Sequence, residues 1–432
     1  MTDQGIAARR IAFRAIARVE DAGAYSTHVV PLLVDELPDA RDRRFASHLA
    51  YDGLRWRGTL DWMLGQVLTR RIDEVEPDLQ RVLRLGALQL WRMRIPDRAA
   101  VSTSVDLART MVPSSRADGA AKFVNGVLRG LARSLPTLAW PDRGSDLVGY
   151  LSLTTGHPDW IVNDLLDQYP PDSAEAILHA DNDPPGVTLR AVGDSGELLD
   201  ELRSADLDAE PTGAAPEGVR VAAVDPRTLP AVVQGRAVPQ DEASMLVVHM
   251  AAVTVGDRII DLCAGPGGKT SHLASIVGPT GSVTAVELHR HRATRIRELA
   301  SRLGQDVTIV EGDARSVALP NGVDAVLVDA PCTGLGVGRR RPEVRWRRQP
   351  VDVRSLADLQ VALLARAIEL VRDGGTVTYA VCTWTRDETV GVTERIEDDF
   401  RDVLRREQSH QLLPSTNGTD GMYMARWRVR AH

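Results

Sequence analysis

From about Gly235 onward the chain alternates short β-branched runs with helical stretches, and no other feature constrains its fold as strongly. The runs are Arg258 to Leu262, Val283 to Val286, Val307 to Val310, Ala325 to Val328 and Thr376 to Tyr379. Apolar strands separated by helices pack as a parallel sheet covered on both faces, because a crossover helix is what brings the chain back to begin the next parallel strand. The expectation is an α/β, doubly wound, Rossmann-like domain over residues 233–432. Sheets of this kind bind ligands at the carboxyl ends of their strands, so chemistry is sought in the residues that follow each run.

The earlier part of the chain has a different period. Residues 6 to about 134 read as amphipathic helices, with Leu79, Val82, Leu83, Gly86 and Leu90 on one stripe and Val124, Val127, Leu128 and Leu131 on another. The side opposite the second stripe carries Lys122, Arg129 and Arg133, which on spacing alone reads better as a solvated helix face than as a binding surface. A polar, proline-bearing stretch from Leu135 to Ser145 reads as a linker. Helices at Trp160 to Leu166, Ser173 to His179 and Gly196 to Arg203, with one strand at Gly186 to Ala191, suggest a small α+β subdomain. At 432 residues the chain exceeds one core, and three segments are expected: all-α 1–140, α+β 141–232 and α/β 233–432.

The net charge of -7 argues against coating nucleic acid by bulk electrostatics. Residues 1–140 nevertheless hold 21 Lys+Arg against 16 Asp+Glu, so any RNA contact must be local. The opening MTDQGIAARR lacks the apolar core of a signal peptide and no apolar run is long enough to cross a bilayer, which points to the cytoplasm. Three cysteines, Cys263, Cys332 and Cys382, are too few for a disulfide framework or a four-ligand zinc site. No metal is expected, and thiol chemistry stays open.

The first strand runs into Asp261-Leu262-Cys263-Ala264-Gly265-Pro266-Gly267-Gly268-Lys269-Thr270, where three glycines allow a ligand close to the backbone. A phosphate-binding P-loop needs glycine where Cys263 stands, and a dinucleotide fingerprint needs glycine or alanine where Thr270 stands. A nucleoside without phosphates fits better. Glu287, ending the second strand, is placed to accept from both ribose hydroxyls, and Asp313, ending the third, to meet an adenine edge. Each could instead cap the following helix. Lys269, one of two lysines in the chain, either meets a cofactor carboxylate or points to water.

The fourth strand ends in Asp329-Ala330-Pro331-Cys332-Thr333-Gly334 and the fifth in Tyr379-Ala380-Val381-Cys382-Thr383, so two thiols lie at the ligand-binding edge. Methyl transfer to cytosine C5 requires such a group, because C5 becomes nucleophilic only after a thiolate adds to C6. A second group near the base then helps release the product, and Asp329 is the candidate acid for N3 and the amino group. Any single strand-end cysteine is better read as a small buried residue, but two of them beside a methyl-donor loop reverse that preference. Cys263 reads as packing beneath the loop.

These motifs, with Pro239-Gln240-Asp241-Glu242-Ala243-Ser244 before them and Gly418-Thr419-Asp420-Gly421-Met422-Tyr423 after, resemble the RNA 5-methylcytosine methyltransferases of the NOL1/NOP2/Sun family, most closely the bacterial 16S rRNA (cytosine-C5) group. The resemblance spans nearly the whole chain. It implies a class I methyltransferase domain using S-adenosylmethionine, with Cys382 as nucleophile and Cys332 assisting release. It also implies that Cys263, Ala264, Gly265, Pro266, Gly267, Gly268, Lys269, Glu287, Asp313 and Asp329 surround the cofactor. Phe123-Val124-Asn125-Gly126-Val127-Leu128-Arg129 resembles the antitermination-factor B (NusB-like) RNA-binding domain, which raises the standing of Lys122 and Arg129 as RNA contacts. Departures are Val381 for a usual Thr, Gly265 for a common Ala, and the missing Asn in Leu189-Arg190-Ala191-Val192.

Arg339 to Arg348 holds six arginines and Trp346 with one acid, Glu343. Arg339, Arg340, Arg345, Trp346, Arg347 and Arg348 read as an RNA guide, against a solvated loop. The expected protein is a monomer methylating 16S rRNA. Alternatives are action on tRNA or other RNA, a DNA cytosine methyltransferase using Cys332, and a non-catalytic RNA-binding assembly factor.

Overall fold

The computed structural model describes residues 4–222 and 224–430, and forms two compact units, one of 1–182 with 338–348 and one of 183–337 with 349–432. The expected limits at 1 and 432, and the first three residues of the amino-terminal stretch, lie outside the described residues.

The first unit is helical. Seven helices from Gln4–Asp21 to Ala117–Ser134 bury the apolar stripes read from the sequence. Helix Pro77–Trp91 turns Leu79, Val82 and Leu83 inward, and helix Ala117–Ser134 does the same with Val124, Leu128 and Leu131. The two pack closely at Gly86, where a Cβ would run into the Leu128 side chain. A leucine side chain thus occupies the space that glycine leaves. The stretch expected to be a linker is packed instead: Trp140 stacks obliquely on Trp62 with ring centroids 4.8 Å apart, and its contact with Trp91 continues the cluster. Three shorter helices, Leu147–Thr155, Asp159–Gln168 and Pro171–Ala180, follow, and the segment 338–348 with helix Val344–Arg347 belongs to the same unit.

The second unit has two sheets. Strands β1 (Val187–Ala191), β2 (Ala209–Pro211), β3 (Gly218–Val221) and β4 (Ala237–Pro239) form an antiparallel sheet in the order β2-β3-β1-β4. Helix Ser195–Ser204 covers it with Leu198 and Leu202, giving the α+β character read from the sequence. Strands β5 (Arg258–Asp261), β6 (Ser282–Glu287), β7 (Thr308–Glu311), β8 (Val323–Asp329), β9 (Val371–Val381), β10 (Leu404–Leu412) and β11 (Met422–Val429) form the large sheet, in the order β10-β11-β9-β8-β5-β6-β7.

The five strands expected from the alternation are mutually parallel, whereas β11 runs antiparallel to β9 and pairs on its other side with β10. The strand order therefore reverses at β5, whose neighbours β6 and β8 begin the two halves of the sheet. In sheets of this order ligands bind at the carboxyl ends of the strands beside such a reversal, which here are the loops after β5 and β8. This is a Rossmann-like α/β fold accompanied by an all-α domain and a small α+β element. Among the described residues no helix is long and apolar enough to cross a membrane.

Candidate active site

The loop after β5 is held open by its own glycines. Gly267 has a φ of +109°, a backbone conformation that side chains with a Cβ rarely adopt. At Gly265 a Cβ would collide with the Glu287 carboxylate. Glu287, buried at the end of β6, accepts hydrogen bonds from the amides of Gly265 at 3.0 Å and His289 at 2.8 Å. It braces the loop from the neighbouring strand. Asp313 stands beyond β7 and is clasped by Arg315, with Nε to Oδ1 at 3.0 Å and Nη2 to Oδ2 at 2.6 Å, which holds its carboxyl down at about 2.

At the head of the next helix, Gly268–Val277, the Lys269 ammonium reaches Asp329 Oδ2 at 2.7 Å. It does not point to water. Burial works against the charge of Lys269, but Asp329, then Cys382 and Asp261, outweigh it and raise its pKa. Asp261, at the end of β5, is fully enclosed. Its Oδ2 accepts from the Thr270 hydroxyl at 2.7 Å, its Oδ1 is buried without a partner, and burial pushes its pKa up to about 7. Cys263 is half-buried, and burial pushes its thiol up. Ala264 is buried and Pro266 exposed at the loop's tip.

The ends of β8 and β9 bring the two remaining thiols together, with Cys332 Sγ 3.3 Å from Cys382 Sγ. Two thiols at this distance share protons, so ionising one leaves the other as its hydrogen-bond donor. The contact with Cys382 pushes Cys332 well up, and burial adds to it.

What fixes these thiols was not legible in the sequence. Glu388, fully buried just beyond the Cys382 loop, accepts from the Thr333 amide at 2.8 Å and hydroxyl at 2.5 Å, from the Thr385 hydroxyl at 2.8 Å and from Gln360 Nε2 at 3.1 Å. Thr333 and Thr383, each directly after a cysteine, share a hydrogen bond of 2.9 Å. Gln360 also donates to the Pro331 carbonyl at 2.8 Å, and the Tyr379 hydroxyl donates to Gln360 Oε1 at 2.9 Å. One carboxylate therefore ties both cysteine-bearing loops to each other. A further brace comes from the terminal motif: the Gly421 amide donates to the Gly336 carbonyl at 2.8 Å, and the Gly336 amide to the Cys382 carbonyl at 3.0 Å.

The arginine-rich segment does not have the character expected of it. Arg345 is 1% exposed, paired with Asp181 at 2.5 Å and bonded to Asn182 Oδ1 at 2.8 Å. The Trp346 indole donates to the Leu54 carbonyl at 2.7 Å, and Arg347 donates to the carbonyls of Val19 and Gly23 at 2.5 and 3.0 Å and to that of Ala24. Glu343 accepts from Ser26. Arg345 is enclosed inside the helical unit, out of reach of RNA, and Trp346 and Arg347 bond to backbone carbonyls of that unit, so the expectation of an RNA guide at these three is not met. Arg339, Arg340 and Arg348 are half-buried. Lys122 and Arg129 remain exposed on helix Ala117–Ser134, where Arg129, Arg133 and Arg98 line a cleft of about 410 Å³.

Comparison with known proteins agrees with this architecture. Residues 248–428 match the family model described as 16S rRNA methyltransferase RsmB/F, residues 6–133 the NusB family, and residues 157–225 the RsmF/B-like ferredoxin-like domain. A putative methyltransferase of Mycobacterium tuberculosis, Rv1407, is 39% identical over 98% of this chain and 96% of its own. The probable ribosomal RNA small subunit methyltransferase B of Bacillus subtilis is 33% identical over 98% of both chains. The solved structure of PH0851 superposes with a TM-score of 0.86 at 20% identity over 99% of both, a likeness of fold. With relatives of that identity aligned from end to end, the chain belongs to the ribosomal RNA small subunit methyltransferase B family.

Proposed function

We propose that this protein transfers a methyl group from S-adenosylmethionine to C5 of a cytosine in 16S rRNA, with Cys382 bonded to C6 during the transfer. The observation that carries the reading is the pair of thiols at 3.3 Å with the Lys269–Asp329 ion pair on the same sheet edge.

The residues present fit the donor. Gly265 lets Glu287 brace the loop from the next strand, Gly267 takes the left-handed turn that sends the backbone into the helix, and the orphaned Asp261 Oδ1 is buried at the end of β5. Residues Cys263 to Lys269, Glu287, Asp313 and Asp329 would hold it; for Asp313 this requires that a ribose or adenine donor compete with Arg315. When bound, S-adenosylmethionine supplies an electrophilic methyl on a sulfonium.

The protein's own groups do the rest. The Cys382 sulfur adds its electron pair to C6, the ring's displaced pair moves toward N3, and a proton that Asp329 delivers to N3, and recovers on release, neutralises the charge that develops there. The nearby Lys269 ammonium favours the thiolate that begins this step. C5, now enamine-like, takes the methyl. The C5 proton then passes to a base, the C6–S bond breaks, and its electron pair returns to Cys382. Cys332, whose sulfur stands 3.3 Å from that of Cys382, serves this release. Incubating the full chain with S-adenosylmethionine and a 16S rRNA transcript should give a bisulfite-resistant cytosine at one position. Methylation confined to tRNA, or absent from every RNA, would overturn the assignment.

A further inference from the structure

In the second unit, away from the thiols, three side chains from three elements converge on one point. Glu217 lies at the entry to β3, His249 near the end of helix Glu242–Ala251, and His272 in helix Gly268–Val277. His249 Nε2 is 2.9 Å from Glu217 Oε1 and 3.1 Å from Oε2, and His272 Nε2 is 3.2 Å from Oε1. One donor atom from each residue lies within 4.8 Å of the others. They face a cleft of about 530 Å³, also lined by Arg190 and Ser275, which gives room for water. We propose that Glu217, His249 and His272 form a binding site for a divalent transition-metal ion of the zinc class, one that clips the small sheet to helix Gly268–Val277.

The donor set decides the class of ion. Two imidazoles and one carboxylate suit zinc, cobalt or nickel and not magnesium or calcium, which take oxygen ligands. Three protein ligands plus water from the cleft complete a tetrahedron.

The protonation states agree with ligation. Burial, with Arg190 adding to it, drives His272 down to about 3, so its ring is neutral and its lone pair free to ligate at neutral pH. One carboxylate offsets half the ion's charge. Beside Arg190 this favours moderate affinity over the tight binding of a closed structural site.

Cobalt tests the site, because thiolate ligation gives a near-ultraviolet charge-transfer band and imidazole–carboxylate ligation does not. Titrating Co²⁺ into the metal-free full chain should give one saturable equivalent with a visible band, no thiolate band, and a raised Tm. The half-exposed His249→Gln, which leaves the buried ring in place, should weaken binding by at least about tenfold while methylation without metal is unchanged. No saturable binding, or binding that carries a thiolate band and is indifferent to His249→Gln, would overturn the proposal; the second result would place the metal at Cys332 and Cys382.

Discussion

Replacing Glu388 by alanine and by glutamine measures how much of the active-site geometry rests on one buried carboxylate. Alanine leaves the Thr333 and Gln360 N–H groups buried without an acceptor, at about 1–3 kcal/mol each. The two hydroxyls can turn elsewhere, Thr333 toward Thr383. The loss of about 2–6 kcal/mol, before any cavity cost, is comparable with the whole stability of a typical domain of about 5–15 kcal/mol, so the alanine variant should be badly destabilised. Glutamine keeps one oxygen for the two N–H donors and turns its amide toward hydroxyls that can accept. What it loses is charge assistance, about 1–3 kcal/mol in all. That variant should fold with a lowered Tm. The loops bearing the thiols are then less firmly fixed, and since misplacement by about 1 Å can cost about a hundredfold, kcat should fall about tenfold or more with KM little changed. Thermal unfolding and single-turnover methylation read the two effects separately. A glutamine variant with wild-type kcat would refute the claim that Glu388 positions the cysteines.

Cys332→Ala should accumulate a protein–RNA adduct that survives denaturing gels, because addition can proceed while release is impaired; a variant that turns over freely and leaves no adduct would remove Cys332 from the release step. Arg345→Met should lower stability by up to about 3–5 kcal/mol, because the buried Asp181 carboxylate keeps only His157 as a side-chain partner, read as a fall in the denaturation midpoint, whereas Lys122→Ala with Arg129→Ala should weaken RNA binding and reduce its salt slope without moving that midpoint. The raised pKa of Asp261 contributes stability that is present below about pH 4 and lost as pH rises through about 7, so Asp261→Asn should flatten the decline of Tm over that interval in the ligand-free protein; an unchanged profile would show that the carboxyl is not held neutral.

Strand-ending motifs were legible because a parallel sheet fixes where they go. Asp261, Glu287, Asp329, Cys332 and Cys382 each end or follow an apolar run, and doubly wound topology sends all such ends to one edge. The helical stripes around Leu83 and Leu128 were legible for the same reason, a period that only one face satisfies. Glu388 carried no such signal: it lies in a short 3-10 turn, and its partners Thr333, Gln360 and Thr385 come from three separate stretches. The pairing of Lys269 with Asp329 spans 60 positions and was equally invisible. Arg345 misled because composition reports that arginines are clustered, not which acceptors they meet; Asp181, 164 positions earlier, is what buries it. The expectation of no metal counted cysteines, whereas the convergence of Glu217, His249 and His272 depends on the fold.

Covalent trapping tests the central claim most directly. With 5-fluorocytosine in the target RNA, C5 carries no proton to lose, so the thioether formed at C6 persists after methyl transfer and can be located by mass spectrometry of the digested adduct. The account predicts the modified nucleotide on the peptide containing residue 382. An adduct on the peptide containing residue 332, or full methyl transfer to unmodified RNA with no adduct from the fluorinated one, would contradict it.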